Sequence, residues 1–437
     1  MRTTLEFRSI GKACIVAALG LIAFAPDTSF AQARPHPSRI IKLMDGDGDG
    51  RISRSEWRRK PQAFDRIDKD GDGYATAEEL GVFLQNRSLQ GGGHRTRSDD
   101  AVRHRRDSAT PPTASIATPM DIIDTHVHLG FGPRERDFEA GVQEALTKMP
   151  QHHVTLAFLI PTPQLGSNAN KYDHDDLRQV AHSDRFRIAG GSGVLGEYLY
   201  TGHAGMTVSK QDKDAFRALA ESIVNKGIVA FGEIGLYHFG NPQAGNVFGG
   251  VPLDHPLLDV LGDVAARSGV PIDVHFEVVS QSIDLPRHLQ GAGNPDHLET
   301  NLPQFEGFLS RNRKAKIVWA HVGYEALPFR TPKLCRTLLR RHDNLFMSIR
   351  LTRGSDTKPS AAMDGNGNLK EHWRQLFADF PDRFVFGSES MYGSAQSSRF
   401  EDEFVLYQKL LAQLPPSVAR KIASSNARAI YPLRPQL

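Results

Sequence analysis

Cysteine is scarce in this chain, since its 437 residues include only Cys14 and Cys335. We expect Cys14 to be removed with a leader segment, so no intramolecular disulfide can form even in an oxidising compartment. Cys335 lies in a helical pattern, Leu334 to Leu339, and is predicted to be a buried thiol. An excess of one charge is also lacking, because the net charge is only +3. Composition therefore points to no polyanionic partner, and no nucleic acid is expected.

Long hydrophobic runs are absent as well. The longest, Ala13 to Ala25, spans 13 residues, whereas a membrane-spanning helix needs about 20. Arg2, Arg8 and Lys12 precede this run, and Ala31-Gln32-Ala33 follows it with small residues for cleavage. This pattern predicts a cleavable signal peptide over residues 1–33 and a periplasmic or secreted protein without a transmembrane segment. The alternative is an uncleaved anchor, for which the run is short.

The next segment, residues 34–86, contains two acidic, glycine-rich repeats. Over residues 34–86 the run Asp45 to Gly50 is followed 23 residues later by a second run, Asp68 to Gly73. Both match the EF-hand loop, in which carboxylates at positions 1, 3 and 5 and a glutamate at position 12 bind Ca²⁺. The predicted calcium ligands, with Arg51 and Tyr74 contributing backbone carbonyls, are Asp45, Asp47, Asp49, Arg51, Glu56, Asp68, Asp70, Asp72, Tyr74 and Glu79. A short helix, roughly Pro61 to Ile67, is expected between the loops, and the partner of this module is not identified by the sequence.

Residues 87–118 are rich in glycine, serine, threonine, proline and basic residues, a composition typical of a flexible linker. From residue 119 to the C-terminus, short β-type runs alternate with helical stretches, which predicts a parallel sheet built from βα units. Eight such strands over this length predict an α/β fold of the (β/α)8 TIM-barrel class, preceded by the small all-α module. The predicted strands are Ile122 to His128, Val154 to Ile160, Arg187 to Gly190, Ile228 to Glu233, Ile272 to Phe276, Lys316 to His321, Leu345 to Ile349 and Phe384 to Gly387.

Histidines and carboxylates stand where several of these strands end. A TIM barrel places its chemistry at the carboxyl ends of its strands, and buried charge is costly unless it is paired or binds a metal. Each residue alone has an ordinary packing explanation, but the six together predict a metal site. They are His126, His128, Glu233, His275, His321 and Glu389. Asp124, which precedes the first pair, is expected to orient a ligand histidine or cap the strand rather than to react.

From about Met120 to Leu433, these motifs resemble the amidohydrolase superfamily, in its amidohydrolase-related branch. The features that carry the resemblance are Ile122-Ile123-Asp124-Thr125-His126-Val127-His128, Trp319-Ala320-His321-Val322-Gly323, Pro381 to Ser388 and Asn426-Ala427-Arg428-Ala429. The element Gly232-Glu233-Ile234-Gly235 is similar to that of TatD-type members. The resemblance implies one divalent metal on His126, His128 and Glu233 and a second on Glu233, His275 and His321. In single-metal relatives His275 ligates and His321 polarises the substrate instead, and the sequence does not choose between one ion and two.

Glu389 departs from the family pattern, because the last strand of such proteins normally ends in an aspartate. The resemblance implies that this carboxylate binds the metal and shuttles the proton of the attacking water. Glutamate reaches one methylene further, so the role survives only if the backbone is set back. The implied activity is hydrolysis of a small-molecule amide, ester, lactone or related bond by water that a divalent ion, typically zinc, activates.

Two other functions stay open at this point. One is a metal-dependent decarboxylase of the same superfamily, and the other is a calcium-binding scaffold whose barrel has lost catalysis through Glu389. Residues that follow strand ends are second-rank candidates for lining the pocket: Tyr237, His238, Glu277, Tyr324 and Arg350. Arg350 is the candidate for binding an acidic substrate group. Asp364 to Asn368 superficially resembles a calcium loop but is predicted to be a turn between two short extended pieces.

Overall fold

The computed structural model describes most of the barrel and parts of the N-terminal module. The described residues are 40–41, 44–45, 51–54, 56–57, 61–69, 73–76, 79–80, 83, 119–130, 137–163, 172–202, 207–241, 247–324, 326–352, 360–394 and 398–433. The predicted signal peptide and linker lie outside the described residues, as do the calcium-ligand candidates Asp47, Asp49, Asp70 and Asp72. Within the described part of the chain, no helix combines the length and the apolar composition needed to cross a membrane.

The N-terminal module pairs its two loops through a short antiparallel ladder. Strand β1 (Ile52–Ser53) pairs with β2 (Tyr74–Ala75), with Ile52 opposite Ala75, and helix α1 (Pro61–Ile67) lies between them in sequence as predicted. Ile52 and Ala75 both occupy position 8 of their loops, so the two EF-hand loops support each other through this pair. A separate apolar cluster lies beneath the ladder and comprises Ile41, Ile52, Phe64, Ile67, Ala75 and Leu80.

The position 12 glutamates of the two loops fold back onto their own loops. Glu56 accepts hydrogen bonds from the backbone N–H and the hydroxyl of Ser53, both at 2.7 Å. Glu79 accepts from the Lys69 N–H at 2.7 Å and from the Thr76 N–H at 3.0 Å. Both carboxylates are therefore held at the loop, where a position 12 ligand must lie.

The larger part of the chain is a parallel barrel. Its strands are β3 (Ile122–Leu129), β4 (Val154–Leu159), β5 (Phe186–Ile188), β6 (Gly190–Gly191), β7 (Phe231–Tyr237), β8 (Ile272–Phe276), β9 (Ile283–Asp284), β10 (His297–Leu298), β11 (Ile317–Val322), β12 (Leu345–Ile349), β13 (Phe384–Phe386) and β14 (Ser390–Tyr392). The parallel sheet runs in the order β5-β4-β3-β13-β12-β11-β8-β7-β6, with β14 also paired to β3. Only Ala189 separates β5 from β6. The Ala189 N–H donates to the carbonyl of Leu159 in β4, whereas the Gly190 N–H donates to the carbonyl of Ala230, just before β7. The two short strands thus form one interrupted third strand that closes an eight-stranded barrel and confirms the predicted fold.

Helices cover the outside of the barrel between the strands. They are α2 (Phe138–Lys148), α3 (His174–Val180), α4 (Val194–Glu197), α5 (Lys210–Asn225), α6 (Pro256–Ser268), α7 (Leu302–Arg311), α8 (Pro332–Arg341), α9 (Glu371–Asp379), α10 (Ser398–Ala412), α11 (Pro416–Arg420) and α12 (Asn426–Ile430). Caps follow the sequence signals: Ser209 accepts from the Asp212 N–H at the start of α5 in a capping box. Cys335 is buried in α8, as predicted.

The chain end closes the amino-terminal side of the barrel. Asn426 in α12 donates to the carbonyls of Pro381 and Phe384, both at 2.8 Å, at the start of β13. Ile430 and Tyr431 join strand residues such as Phe158 in an apolar cluster distinct from the one under the outer helices. This side is sealed, so the opposite side, where the strands end, is left for a site.

Most predicted strands match within one or two residues, and the differences are local. The predicted fourth strand, Ile228 to Glu233, is observed as β7, which starts at Phe231 and runs on to Tyr237. The small hairpin β9–β10 was not predicted. Asp364 to Asn368 is a turn between Met363 and Leu369, which pair antiparallel, as expected.

Candidate metal centre

The first histidine pair lies at the carboxyl end of β3. His126 and His128 are fully buried, and the Nδ1 atom of each ring faces a polar group of a neighbouring strand. His128 Nδ1 donates to the Ile160 carbonyl at 2.6 Å, and His126 Nδ1 lies 3.3 Å from Asp273 Oδ1. Since a carbonyl can only accept, His128 carries its proton on Nδ1, and its Nε2 is left as an acceptor.

Glu233, near the start of β7, divides the site into two halves. Its Oε2 lies 3.6 Å from His126 Nε2 and 3.5 Å from His128 Nε2. Its Oε1 lies 2.7 Å from His275 Nδ1 and 3.1 Å from His321 Nε2. Ser192 donates to the Glu233 carbonyl at 2.8 Å and so fixes the backbone there. One carboxylate therefore faces a different pair of histidines with each oxygen.

Glu389 completes the first half from beyond the end of β13. Its Oε2 lies 3.1 Å from His126 Nε2 and 3.5 Å from both His128 Nε2 and His321 Nδ1. The residue has a φ of 60°, and its N–H bonds to the His126 carbonyl at 2.9 Å. The left-handed turn swings the longer side chain so that its carboxylate meets the histidines. The departure from aspartate thus does not keep the carboxylate away from the site.

His321 also has a left-handed backbone, with a φ of 66°. Non-glycine residues rarely adopt this region, and where they do, surrounding structure must hold them. Among the strand ends that the structure describes, those that carry His321 and Glu389 turn in this way through a residue other than glycine. Their side chains are thereby directed to the same point above the barrel.

The donor atoms fit a metal. His126 Nε2, His128 Nε2, His321 Nδ1 and Glu389 Oε2 are buried and make no hydrogen bond to any residue that the structure describes. Two sets of side chains have ligand atoms within 4.8 Å of one another: His126, His128, Glu233 and Glu389 form one, and Glu233, His275 and His321 the other. A buried acceptor without a partner costs free energy unless a cation binds it.

The carboxylates of this pocket are ionised, whereas its histidines differ in protonation. Although burial raises it, the pKa of Glu233 is held well below its usual value by His126 and His275. Burial likewise opposes ionisation of Glu389, but His321 and Arg350 hold its pKa well below normal. Burial lowers the pKa of His321 to about 3. Burial lowers the pKa values of His126 and His275, but Asp273 and Glu233 raise that of His126 well above its usual value and Glu233 raises that of His275 to about 9. A metal ion that binds these two imidazoles would therefore displace a proton from each.

Asp124 supports this arrangement from within β3. Its Oδ1 accepts from the Ser388 N–H at 2.9 Å and from the His126 N–H at 3.3 Å. It ties the strand that carries His126 to the segment that leads into Glu389.

The second-rank residues fall into two groups. Arg350 lies beside the site, with Nη1 3.7 Å from Glu389 Oε1 and its guanidinium 4.3 Å above the Tyr324 ring. The His238 ring lies 4.3 Å from that of His275. Tyr237 packs instead on Phe248, with ring centroids 5.3 Å apart, and contacts no ligand candidate in the described contacts.

Asp273 and Arg330 were not predicted, although both contact the centre. Asp273 faces His126 Nδ1. It was missed because it lies inside β8 rather than at the strand end, where site residues were expected. Its spacing was a usable signal, because Asp273, His275 and Glu277 alternate along β8 and its extension and therefore share a face. Arg330 is buried at 1% exposure and reaches in from a loop before α8, where no local pattern marks it.

A family model described as amidohydrolase matches residues 203–433, more than half of the chain. The chain belongs to the amidohydrolase family. The match covers Glu233, His275, His321 and Glu389, whereas the His126 and His128 pair precedes it. An EF-hand family model matches residues 39–59 and 62–84, so the amidohydrolase barrel follows an EF-hand pair.

Among solved structures, the amidohydrolase 2 protein from Bifidobacterium longum subsp. infantis is similar to this chain at 12% sequence identity. The alignment covers 71% of this chain and 98% of that one, with a TM-score of 0.36. No curated protein matches the chain.

Proposed function

We propose that this amidohydrolase is a metal-dependent hydrolase in which His126 and His128 would hold one divalent cation, His275 and His321 would hold a second, and Glu233 would serve both. The observation that carries the proposal is that the two oxygens of the buried Glu233 carboxylate face two different pairs of histidines. Oε2 faces His126 and His128 at 3.5–3.6 Å, and Oε1 faces His275 and His321 at 2.7–3.1 Å. A single ion would leave one pair of imidazoles without a cation.

The donor set favours zinc or a similar transition metal. Four imidazoles and two carboxylates supply nitrogen and oxygen, a mixture that suits Zn²⁺, whereas Mg²⁺ and Ca²⁺ prefer oxygen alone. Calcium is assigned to the EF-hand pair, where the position 12 carboxylates of Glu56 and Glu79 lie at their loops. The chain would therefore bind hard and borderline cations in separate places.

Bound cations would supply Lewis acidity, which makes water nucleophilic near neutral pH and polarises a carbonyl or phosphoryl group. Glu389 is ionised and lies at the rim of the histidine cluster, so its Oε2 accepts the proton of attacking water and returns it to the leaving group. Its Oε1 faces Arg350, which orients the carboxylate. The Arg350 guanidinium is also the group that meets an acidic portion of a substrate.

The substrate class we propose is a small molecule with an amide, ester, lactone or related bond. Export through the segment at residues 1–33 belongs to the same proposal, and it rests on the charge and hydropathy pattern of that segment. The EF-hand pair is assigned a structural or assembly role.

A substrate panel after metal replacement tests the proposed function. The chain would be stripped with a chelator, reloaded with Zn²⁺, and assayed on nitrophenyl esters, lactones, acyl amides and a phosphotriester. Hydrolysis of at least one class, lost on stripping and restored by Zn²⁺, is expected. Release of CO₂ from acidic aromatic compounds without any hydrolysis would replace hydrolase by decarboxylase, and inactivity of a metal-loaded chain on all of them would contradict catalysis.

A further inference from the structure

One histidine of the second half of the site has a carboxylate behind it. His275 directs Nδ1 to Glu233 at 2.7 Å, and its Nε2 lies 3.4 Å from Glu277 Oε1. Glu277 is only 4% exposed. A carboxylate on the far nitrogen of an imidazole fixes both its orientation and its tautomer, because the far nitrogen must carry the proton.

Glu277 is itself held by a buried guanidinium. Arg330 Nη2 lies 2.9 Å from Glu277 Oε1 and donates to the Phe276 carbonyl, also at 2.9 Å. Trp319 donates to the same carbonyl at 2.8 Å. Two side chains thereby hold the carbonyl at the end of β8, directly before Glu277.

The same guanidinium also fixes the other histidine of this half. Arg330 Nη1 donates to the His321 carbonyl at 2.9 Å and to the Ala320 carbonyl at 3.3 Å. Of these two residues, His321 is the one at which the backbone of β11 turns left-handed. Arg330 therefore links the strand that carries His275 to the strand that carries His321, and it makes no described contact with His126 or His128.

We propose that Glu277 and Arg330 are positioning residues dedicated to the His275–His321 half of the centre. Glu277 presents Nδ1 of His275 to the site, and Arg330 holds Glu277 and the His321 backbone in register. The inference rests on the proposed two-metal function and adds that the two halves have separate supports. Asp273 supports the other half through His126.

Metal affinity of each half is the readout that separates positioning from mere packing. Loss of a residue that orients a ligand costs about 10–100-fold in metal affinity. Glu277→Gln is therefore expected to weaken one of two zinc equivalents by that factor and to leave the other within about twofold. Zinc affinities would be measured by equilibrium dialysis against a chelator of known affinity, on the full chain.

Two further variants keep the test decisive. Because Glu277→Gln removes the negative charge that faces the buried Arg330, the double variant Glu277→Gln/Arg330→Met removes both charges and is expected to show the same selective loss. In a His275→Ala background, Glu277→Gln is expected to add nothing, since it acts through His275.

The matched control is Asn344→Ala. Asn344 is a buried side chain at the amino-terminal side of the barrel, where it donates to the carbonyls of Leu309 and Ala315, both at 3.1 Å. Its loss is expected to lower the melting temperature and leave both zinc affinities unchanged.

Equal weakening of both equivalents by Glu277→Gln, or two unchanged affinities, would overturn the inference while leaving the proposed function intact. A wild-type chain that binds no transition metal would overturn both.

Discussion

Gly387 directly follows β13 and packs against His126, and the site requires that this residue have no side chain. A Cβ at this position would lie 2.0 Å from Ser348 Oγ and 2.7 Å from His126 Cβ. Both distances are far below the contact that atoms tolerate, so Gly387→Ala must displace a neighbour. The predicted result is a less stable protein in which His126 is moved.

The magnitude follows from the two contacts. Overpacking of a filled interior costs about 1–3 kcal/mol, which for a barrel of this size lowers the melting temperature by roughly 2–5 °C. A shift of His126 by even a few tenths of an ångström changes its distances to Glu233 and Glu389. We expect zinc affinity to fall about tenfold or more, by analogy with the loss of a supporting residue.

Thermal melts and zinc dialysis on three variants check this reasoning. Gly387→Ala/Ser348→Ala removes the 2.0 Å contact but not the one with His126, so it is expected to regain stability without regaining zinc affinity. Gly307→Ala, in helix α7 with nothing within 4 Å of the added Cβ, makes the same chemical change and is expected to stabilise by about 0.5–1 kcal/mol. Wild-type stability and zinc affinity in Gly387→Ala would refute the close packing of Gly387 against Ser348 and His126.

Three further predictions concern separate parts of the chain. Glu389→Gln is expected to lower kcat about 10²–10⁴-fold on whichever substrate the panel identifies, and an unchanged kcat would remove Glu389 from proton transfer. Asp173→Asn is expected to destabilise by about 2–3 kcal/mol near neutral pH, because the Asp173 carboxylate accepts from the N–H groups of His174, Gly191, Gly193 and Val194 at 2.7–2.9 Å. Burial opposes ionisation of Asp173, but hydrogen bonds from His174, Val194 and Gly191 lower its pKa below 3.8. Urea titrations should therefore show the full difference in unfolding free energy between wild type and variant above pH 4. That difference should disappear as the pH falls through the pKa of Asp173 in the folded protein. Glu79→Gln is expected to weaken one calcium equivalent in calorimetry, whereas Asp364→Asn, in the turn that only resembles a calcium loop, should change none.

The barrel and most of its centre could be predicted because their signals are local. His126, His128, His275 and His321 interrupt apolar runs at strand ends, and a parallel barrel brings all strand ends together whatever the connecting helices do. The family resemblance added the pairing of these residues with Glu233.

Other features depend on geometry that no local pattern carries. The reach of Glu389 is set by a left-handed backbone at the end of β13, which the sequence Gly387-Ser388-Glu389 does not reveal. Arg330 lies in a loop, and its contact with Glu277 joins residues 53 positions apart. The interruption at Ala189 that lets β5 and β6 each pair with a different neighbour likewise appears only when the barrel closes.

Metal analysis of the purified full chain tests whether the barrel binds two transition-metal ions. About two equivalents of a transition metal are expected, and they should be lost when His126 and His128 are both replaced by alanine and retained when Glu56 and Glu79 are replaced by glutamine. A folded wild-type chain that carries calcium alone, even after incubation with Zn²⁺, would contradict it.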